Sequence, residues 1–240
     1  MTFKLITALS ALALMITTAT AQDQAMTDYK ASYIEMTAAE NQTEALAQFL
    51  SAAAPLVKDT EPGTELWFAL QAPENTLAIF DIFVDEAARR AHFSGAVAGA
   101  LNDNANTLVA GGWDDGVVAN VQNSSVLSAK APVNLYSATT ATYITFTAAP
   151  GQSAALAELL TAAGEIVAET EPKTLFWVAL QIDDNAFALF DIFADETGRT
   201  AHFAGQVAGL LKEKSSMLIE GGWDEGVVAN VSNFDILAIK

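Results

Sequence analysis

Two periodicities of hydrophobic and polar positions follow one another along this chain, and the same succession then occurs a second time. Alternation of apolar and polar residues predicts strands, whereas apolar residues three and four positions apart predict amphipathic helices. In the first copy the predicted elements are a strand at 33–37, a helix at 41–58, strands at 66–71 and 77–84, a helix at 85–101, and a last strand at 117–121 and 126–129. This order, β-α-β-β-α-β, is the ferredoxin-like plan.

The two copies are related by a constant offset of 110 residues. The segment 28–130 matches 138–240 at 53 of 103 positions, so the chain contains an internal duplication. We therefore expect an α+β protein with two tandem ferredoxin-like units, repeat 1 at 28–130 and repeat 2 at 138–240, joined by a linker at 131–137. Two copies are too few for a solenoid, so the expected arrangement is a pseudo-dimer within one chain.

The first 21 residues have the pattern of a signal peptide. Lys4 precedes a short apolar run, and Ala19 and Ala21 place small residues at the −3 and −1 positions of a cleavage site. Residues 1–21 are therefore predicted to be removed, and the protein to be exported to the periplasm or the extracellular space. The alternative is an N-terminal membrane anchor, although the run is short for a bilayer span.

The charge of the chain restricts its partners. The 240 residues include 29 Asp and Glu but only 11 Lys and Arg, which gives a formal charge of −18 at pH 7. Such a surface is repelled by nucleic acids and by anionic membranes, so neither is an expected partner after signal cleavage. The chain has no cysteine and only two histidines, so disulfides, thiolate nucleophiles and Cys-ligated or His-rich metal sites are not expected.

His92, which recurs as His202, is the first candidate for chemistry. It lies on the second predicted helix, and Gly95 and Gly99 fall on the same helical face. Because glycine within a helix costs about 1 kcal/mol relative to alanine, the two glycines indicate that something approaches closely there. One interpretation is a pocket in which the imidazole donates a hydrogen bond or transfers a proton. The alternative is tight packing of helix on sheet beside a satisfied histidine.

Asp81, which recurs as Asp191, interrupts an otherwise apolar strand. A buried carboxylate needs a partner, and the candidates on the following helix are Arg89 (Arg199 in repeat 2) and His92. The pair formed could line a cavity, or could be an interdomain salt bridge.

Trp67 and Trp177 could form a pocket wall or belong to the core. Trp113 is expected in a loop, and the Asp114-Asp115-Gly116 sequence after it lacks the spacing of a calcium-binding loop.

At these residues the chain resembles the antibiotic biosynthesis monooxygenase superfamily, in particular its quinol monooxygenase-like members. The resemblance rests on three segments of repeat 1 and their counterparts in repeat 2: EPGTELWFALQ, FDIFVDEAARRAHFSGAVAGAL and VLSAK. It implies that the two units close into a dimeric α+β barrel within one chain. It also implies oxygenation of a quinol or an aromatic polyketide by dioxygen, with no metal or flavin cofactor. Heme-degrading relatives carry a further histidine on this helix. This chain has Val97 to Gly99 and Val207 to Gly209 in that region, so heme degradation is not expected.

The resemblance implies one pocket per repeat, with a small apolar or aromatic molecule as the ligand. In this hypothesis the histidines transfer protons and the aspartates orient the histidines. The tryptophans, phenylalanines and arginines bind the substrate. The catalytic residues would be His92, His202, Asp81 and Asp191, and the substrate-binding residues Trp67, Trp177, Phe80, Phe190, Arg89 and Arg199. Two alternatives stay open, an exported binder of a small apolar ligand without catalysis and a purely structural interaction module. Further self-association to a homo-oligomer is also left open.

Overall fold

Each copy of the repeat supplies four strands to one closed barrel in the computed structural model, which describes residues 28–240. The strands are β1 Lys30–Thr37, β2 Thr64–Gln71, β3 Thr76–Phe83, β4 Val121–Lys130, β5 Thr140–Thr147, β6 Thr174–Gln181, β7 Ala186–Phe193 and β8 Val231–Ile239. The helices are α1 Thr43–Thr60, α2 Glu86–Phe93, α3 Ala96–Leu108, α4 Gly112–Gly116, α5 Ser153–Thr170, α6 Glu196–Phe203 and α7 Gln206–Leu218.

The strand order around the barrel is β1-β3-β2-β8-β5-β7-β6-β4, and every pairing is antiparallel. Each repeat forms a four-stranded sheet, and the last strand of each repeat closes the barrel against the other. Thus β8 of repeat 2 pairs with β2 of repeat 1, and β4 of repeat 1 pairs with β6 of repeat 2. The expected α+β barrel formed by two ferredoxin-like units of one chain is confirmed.

The alternation along β3 shows how the sheet separates two cores. Ala78, Phe80 and Ile82 point into the barrel, where aromatic rings from both repeats pack together. Leu77 and Ile79 point outward and pack under the helices of repeat 1. Repeat 2 has a matching outer core beneath its own helices. The barrel interior and the two helix-covered faces are therefore distinct regions.

The segment predicted as one helix from Asp85 to Leu101 consists of two helices. Asp85 caps α2 by accepting a hydrogen bond from the backbone N–H of Ala88, and α2 ends at Phe93. Gly95 has an extended backbone and precedes the first residue of α3, which continues to Leu108. Gly95 is therefore a junction between helices and not a glycine within one.

Two further predictions need correction, and one lies outside the described residues. Trp113 belongs to the short helix α4 and not to a loop. The last strand starts at Val121, and residues 118–120 form a turn of 3₁₀ helix where a strand was predicted.

The signal peptide expected at 1–21 lies outside the described residues. Within 28–240, no helix is long and apolar enough to cross a bilayer.

Candidate functional site

Asp81 is fully buried on the helix-covered face of β3. Within residues 28–240 neither of its carboxylate oxygens has a hydrogen-bond partner. Burial raises the pKa of Asp81 to about 7, against the lowering influence of His92, and the nearby Glu61 carboxylate raises it further. A carboxyl group in this setting exchanges its proton near neutral pH, which is the property expected of a group at a reaction site.

His92 lies between two carboxyl groups. It is on the last turn of α2 and only 5% exposed. Its Nδ1 atom lies 2.5 Å from Oε2 of Glu61, and its Nε2 atom lies 3.9 Å from Oδ2 of Asp81. Burial alone lowers the pKa of His92, but Asp81 and Glu61 outweigh that effect, so the pKa is raised above its ordinary value. The imidazole therefore holds a proton more firmly than a free histidine does.

Glu61, which sequence reasoning missed, completes this group. It follows α1 at the turn into β2, and it is only 9% exposed. Thr64 donates a hydrogen bond to Oε2 of Glu61 at 3.1 Å, and a Cβ placed on Gly95 would lie 3.0 Å from Oε1. The helix junction at Gly95 thus leaves room for the carboxylate. The available signal was the Glu-Pro pair after each first helix, which occurs at the same position in both repeats.

Repeat 2 contains the same arrangement. His202 Nδ1 lies 2.5 Å from Oε2 of Glu171, and Nε2 lies 3.8 Å from Oδ1 of Asp191. Burial raises the pKa of Asp191 to about 6, and His202 and Arg199 pull it in the opposite direction. The pKa of His202 is raised, because Asp191 and Glu171 together outweigh its burial. Each repeat therefore carries one Glu–His–Asp group.

An apolar pocket of about 450 Å³ adjoins His92 between the sheet and the helices α2 and α3. His92 is its one titratable lining residue, and two tryptophans and a phenylalanine form much of the wall. The lining residues are Ile34, Trp67, Ile79, His92, Phe93, Val97, Ala98, Leu101, Trp113, Val117, Val118, Val121 and Asn123. Its volume falls within the range of about 300–1,000 Å³ typical of small-molecule sites.

The pocket lining is more similar between the repeats than the rest of the chain. Of its thirteen positions, twelve carry the identical residue 110 positions later, and the exception is Ile79, which is matched by Leu189. Over the whole alignment only 53 of 103 positions agree. The duplicated unit has thus diverged at half of its positions while keeping the side chains beside the histidine.

Polar atoms without hydrogen-bond partners cluster around both histidines. In the part of the chain that the structure describes, they include Trp67 Nε1, Glu61 Oε1 and both carboxylate oxygens of Asp81, together with the same atoms of Trp177, Glu171 and Asp191. A buried polar group left unpaired costs about 1–3 kcal/mol. The same atoms are unpaired in both copies, so these positions are a shared feature of the two repeats.

No metal-binding group is apparent in the described chain. Among residues 28–240, no set of three or more His, Asp or Glu side chains is placed to hold a metal ion.

Comparison with solved structures places the fold. No family model and no curated protein matches the chain. A putative monooxygenase from Fusobacterium nucleatum is similar over 89% of this chain and 94% of its own, with 16% identity and a TM-score of 0.75. An anthrone oxidase-like protein is similar over 89% of this chain and 93% of its own, with 9% identity and a TM-score of 0.55. The chain shares the closed α+β barrel fold of these two neighbours. The expected resemblance to the antibiotic biosynthesis monooxygenases is confirmed at the level of fold.

A protein of unknown function from Nitrosomonas europaea is more similar in sequence. It is 38% identical over 45% of this chain and 99% of its own, with a TM-score of 0.40.

The structure brings some of the predicted site residues together and separates others. Trp67 lies in the wall of the pocket beside His92, and it is also fully buried in the outer core. Phe80 and Phe190 stack on each other inside the barrel, with ring centroids 3.8 Å apart. The prediction that these phenylalanines share a pocket wall with the histidines is therefore wrong, because successive strand residues point to opposite faces.

The arginines fasten helices to strands and do not pair with the aspartates. Arg89 pairs with Glu86 and points its guanidinium at the carbonyl oxygens of Ala31 and Ser124, at 3.5 and 3.4 Å. Arg199 makes the corresponding contacts to Glu196, Ala141 and Phe234. Arg89 is absent from the pocket lining, so its predicted role in substrate binding is corrected to an anchoring one.

Proposed function

We propose that this protein is an exported monooxygenase that oxidises a small quinol or phenolic aromatic with dioxygen, in one pocket beside His92 and an equivalent site beside His202. The observation that carries the proposal is the apolar, aromatic pocket whose one titratable lining residue is held between two buried carboxyl groups. Electron-rich aromatics supply their own electrons to dioxygen, so the protein's task is to bind the ring and remove a proton.

His92 has the contacts required of the proton acceptor. Its Nδ1 is engaged by Glu61, which fixes the ring and leaves Nε2 to exchange a proton with a substrate hydroxyl. Asp81, 3.9 Å from Nε2, stabilises the imidazolium that results when its own carboxyl group is ionised, which its pKa of about 7 permits at and above neutral pH. Loss of the hydroxyl proton gives an anion that is more easily oxidised than the neutral aromatic.

The proposed reaction balances with dioxygen as the only oxidant. The substrate anion passes one electron to dioxygen, and the radical pair combines to form a carbon–oxygen bond. Breakage of the oxygen–oxygen bond then releases one oxygen atom as water. For a quinol with a free ring C–H, the products are a hydroxyquinone and one water, so the substrate loses four electrons and dioxygen gains four. The apolar walls keep bulk water away from the charged intermediates.

Aromatic side chains support a flat, aromatic ligand. Trp67, Phe93 and Trp113 face the same pocket, and ring–ring contacts contribute about 0.5–1.5 kcal/mol each beyond the burial of their area. The anthrone oxidase-like neighbour has a name that points to an aromatic substrate, and the proposal extends that class to this chain. Export is part of the proposal and rests on the signal-like residues 1–21.

The test is oxygen uptake with a reduced naphthoquinone, corrected for its spontaneous oxidation. The wild type is expected to accelerate uptake, and the double variant His92→Ala/His202→Ala to lose about 10²–10⁴-fold of that acceleration, the usual contribution of acid–base catalysis. Arg90→Ala is the matched control, because Arg90 is on the same helix but exposed. Equal rates for wild type and double variant would overturn the histidine role. Saturable binding without turnover would favour the non-catalytic binder.

A further inference from the structure

The last residue of each repeat is a lysine that reaches the glutamate-bearing turn of the other repeat. In repeat 2, β8 runs beside β2, and the backbone N–H of Lys240 donates to the carbonyl of Trp67 at 2.9 Å. The Lys240 ammonium donates to the carbonyl oxygen of Glu61 at 2.9 Å and also to that of Thr64. One side chain thus holds both ends of the turn that carries the Glu61 carboxylate.

Lys130 makes the reciprocal contact. It ends β4 opposite Trp177 on β6, and its ammonium donates to the carbonyl oxygen of Glu171 at 2.7 Å. Lys130 is 7% exposed, and burial lowers its pKa while Glu171 opposes that effect. Taking an ammonium out of water is costly unless it is well partnered, so this contact needs an explanation beyond barrel closure.

The lysine is retained where its strand has changed. Between 121–130 and 231–240 only four of ten positions are identical, and the lysine is one of them. A surface lysine at a strand end would be free to vary like its neighbours. In both copies it occupies the same point, beside the glutamate that contacts the histidine Nδ1 atom.

We propose that Lys240 and Lys130 are positioning residues, each fixing from the opposite repeat the turn that holds Glu61 or Glu171 against its histidine. Each Glu–His pair is therefore completed across the seam of the barrel, and neither repeat forms a finished site alone. The inference rests on the proposed function only for the chemical role of that pair; the contacts themselves do not depend on it.

A competing explanation is that the lysines act only through their charge. The two explanations predict opposite changes in the pKa of the neighbouring histidine when the lysine is replaced. The charged groups around His92 are Glu61 on the turn, Asp81 on β3 and Lys240 from β8. The positive charge of Lys240 lowers the pKa of His92, so loss of charge alone would raise that pKa. If Lys240 positions Glu61, its loss lets the carboxylate withdraw, and the pKa of His92 falls.

The chain has two histidines, so an NMR titration of the full protein gives one imidazole signal per site. The signals are assigned with His92→Gln and His202→Gln. Lys240→Met is expected to lower the pKa of His92 and to leave that of His202 unchanged, and Lys130→Met to do the reverse. Lys240→Arg, which keeps the donors, should restore the wild-type value for His92. Lys58→Met, at an exposed position of α1, is the control.

An unchanged or raised His92 pKa in Lys240→Met would overturn the proposal, as would equal movement of both histidines. The distant histidine serves as the internal measure of folding in every spectrum. If either methionine variant fails to fold, Lys240→Ala and Lys130→Ala, which also remove the donor and the charge, carry the same comparison. The NMR titration uses no substrate. A failure of this positioning proposal is therefore distinguishable from a failure of the proposed oxygenation.

Discussion

Oδ2 of Asp81 lies 3.9 Å from Nε2 of His92, and within the described chain that oxygen accepts no hydrogen bond. The distance is too long for a hydrogen bond but short enough for strong electrostatic coupling in a buried site. The two groups therefore affect each other's protonation while Nε2 stays available to a ligand. This arrangement leads to a prediction for stability as a function of pH.

The Asp81 pKa of about 7 in the folded protein predicts that stability falls as pH rises. Between about pH 4 and pH 7 the unfolded chain has lost this proton while the folded protein keeps it, so raising the pH favours unfolding. The raised pKa of His92 acts in the same direction, because its contribution is lost as pH rises through the folded value. Asp81→Asn removes the carboxyl titration and should gain stability relative to wild type across this range, by up to about 4 kcal/mol.

Denaturant unfolding at several pH values from about 5 to 8 measures this difference. Asp183→Asn is the control: the pKa of Asp183 is lowered by backbone N–H donors, so it titrates below this range. A stability difference between Asp81→Asn and wild type that stays constant with pH would show that Asp81 is ionised throughout.

Intrinsic fluorescence should report directly on occupancy of the proposed sites. The four tryptophans of the chain are Trp67 and Trp113 in the pocket lining and their counterparts Trp177 and Trp223. Binding of 1,4-naphthoquinone is expected to quench this emission saturably. Ala98→Phe places a ring inside the repeat 1 pocket and should abolish about half of the quenching, and adding Ala208→Phe should remove the rest. Quenching that survives the double variant would place the ligand elsewhere.

The sequence was informative where a pattern repeats over many residues. The offset of 110 and the alternating strands were sufficient to predict two ferredoxin-like units, and the family resemblance predicted their closure into one barrel. His92 and Asp81 were found because each is polar where its surroundings are apolar. Glu61 was missed because a glutamate at a helix end is unremarkable until the fold buries it. Lys240 was missed because its partners lie in the other repeat, more than 170 positions away.

Phe80 shows a different kind of error. The alternation along β3 already places Phe80 and Asp81 on opposite faces, so the two could not line one pocket within a single sheet. The assignment joined neighbours in sequence that the pleat separates. Which face bears the pocket was not evident, because both faces are apolar and only the fold shows that one is the barrel interior.

Phe80 is therefore predicted to matter for stability and not for the site. Its ring stacks on Phe190 at 3.8 Å between centroids in the interior of the barrel. Phe80→Ala should cost about 3–5 kcal/mol of unfolding free energy, as large-to-small changes in cores do. Under conditions where the variant is folded, quenching by 1,4-naphthoquinone should retain its wild-type affinity. Loss of binding with little loss of stability would restore Phe80 to the pocket wall.

Gly95 and Gly99, which look equivalent in the sequence, are predicted to respond oppositely to alanine. A Cβ on Gly95 would lie 3.0 Å from Oε1 of Glu61 and 3.1 Å from the carbonyl oxygen of His92, whereas a Cβ on Gly99 would meet nothing within 4 Å. Gly99→Ala lies within α3 and should stabilise the protein by about 0.5–1 kcal/mol, with no change in the site. Gly95→Ala should push the Glu61 carboxylate away from the imidazole and so lower the pKa of His92.

The two alanine variants are compared by denaturant unfolding and by NMR titration of His92, with His202 as the reference in the same sample. Gly205→Ala extends the comparison to repeat 2, where the added Cβ would lie 2.5 Å from Oε1 of Glu171, so the pKa of His202 should fall by at least as much. If Gly95→Ala left the His92 pKa unchanged, the carboxylate would have room to yield. The helix junction at Gly95 would then be a feature of folding alone, without a part in holding Glu61 against the histidine.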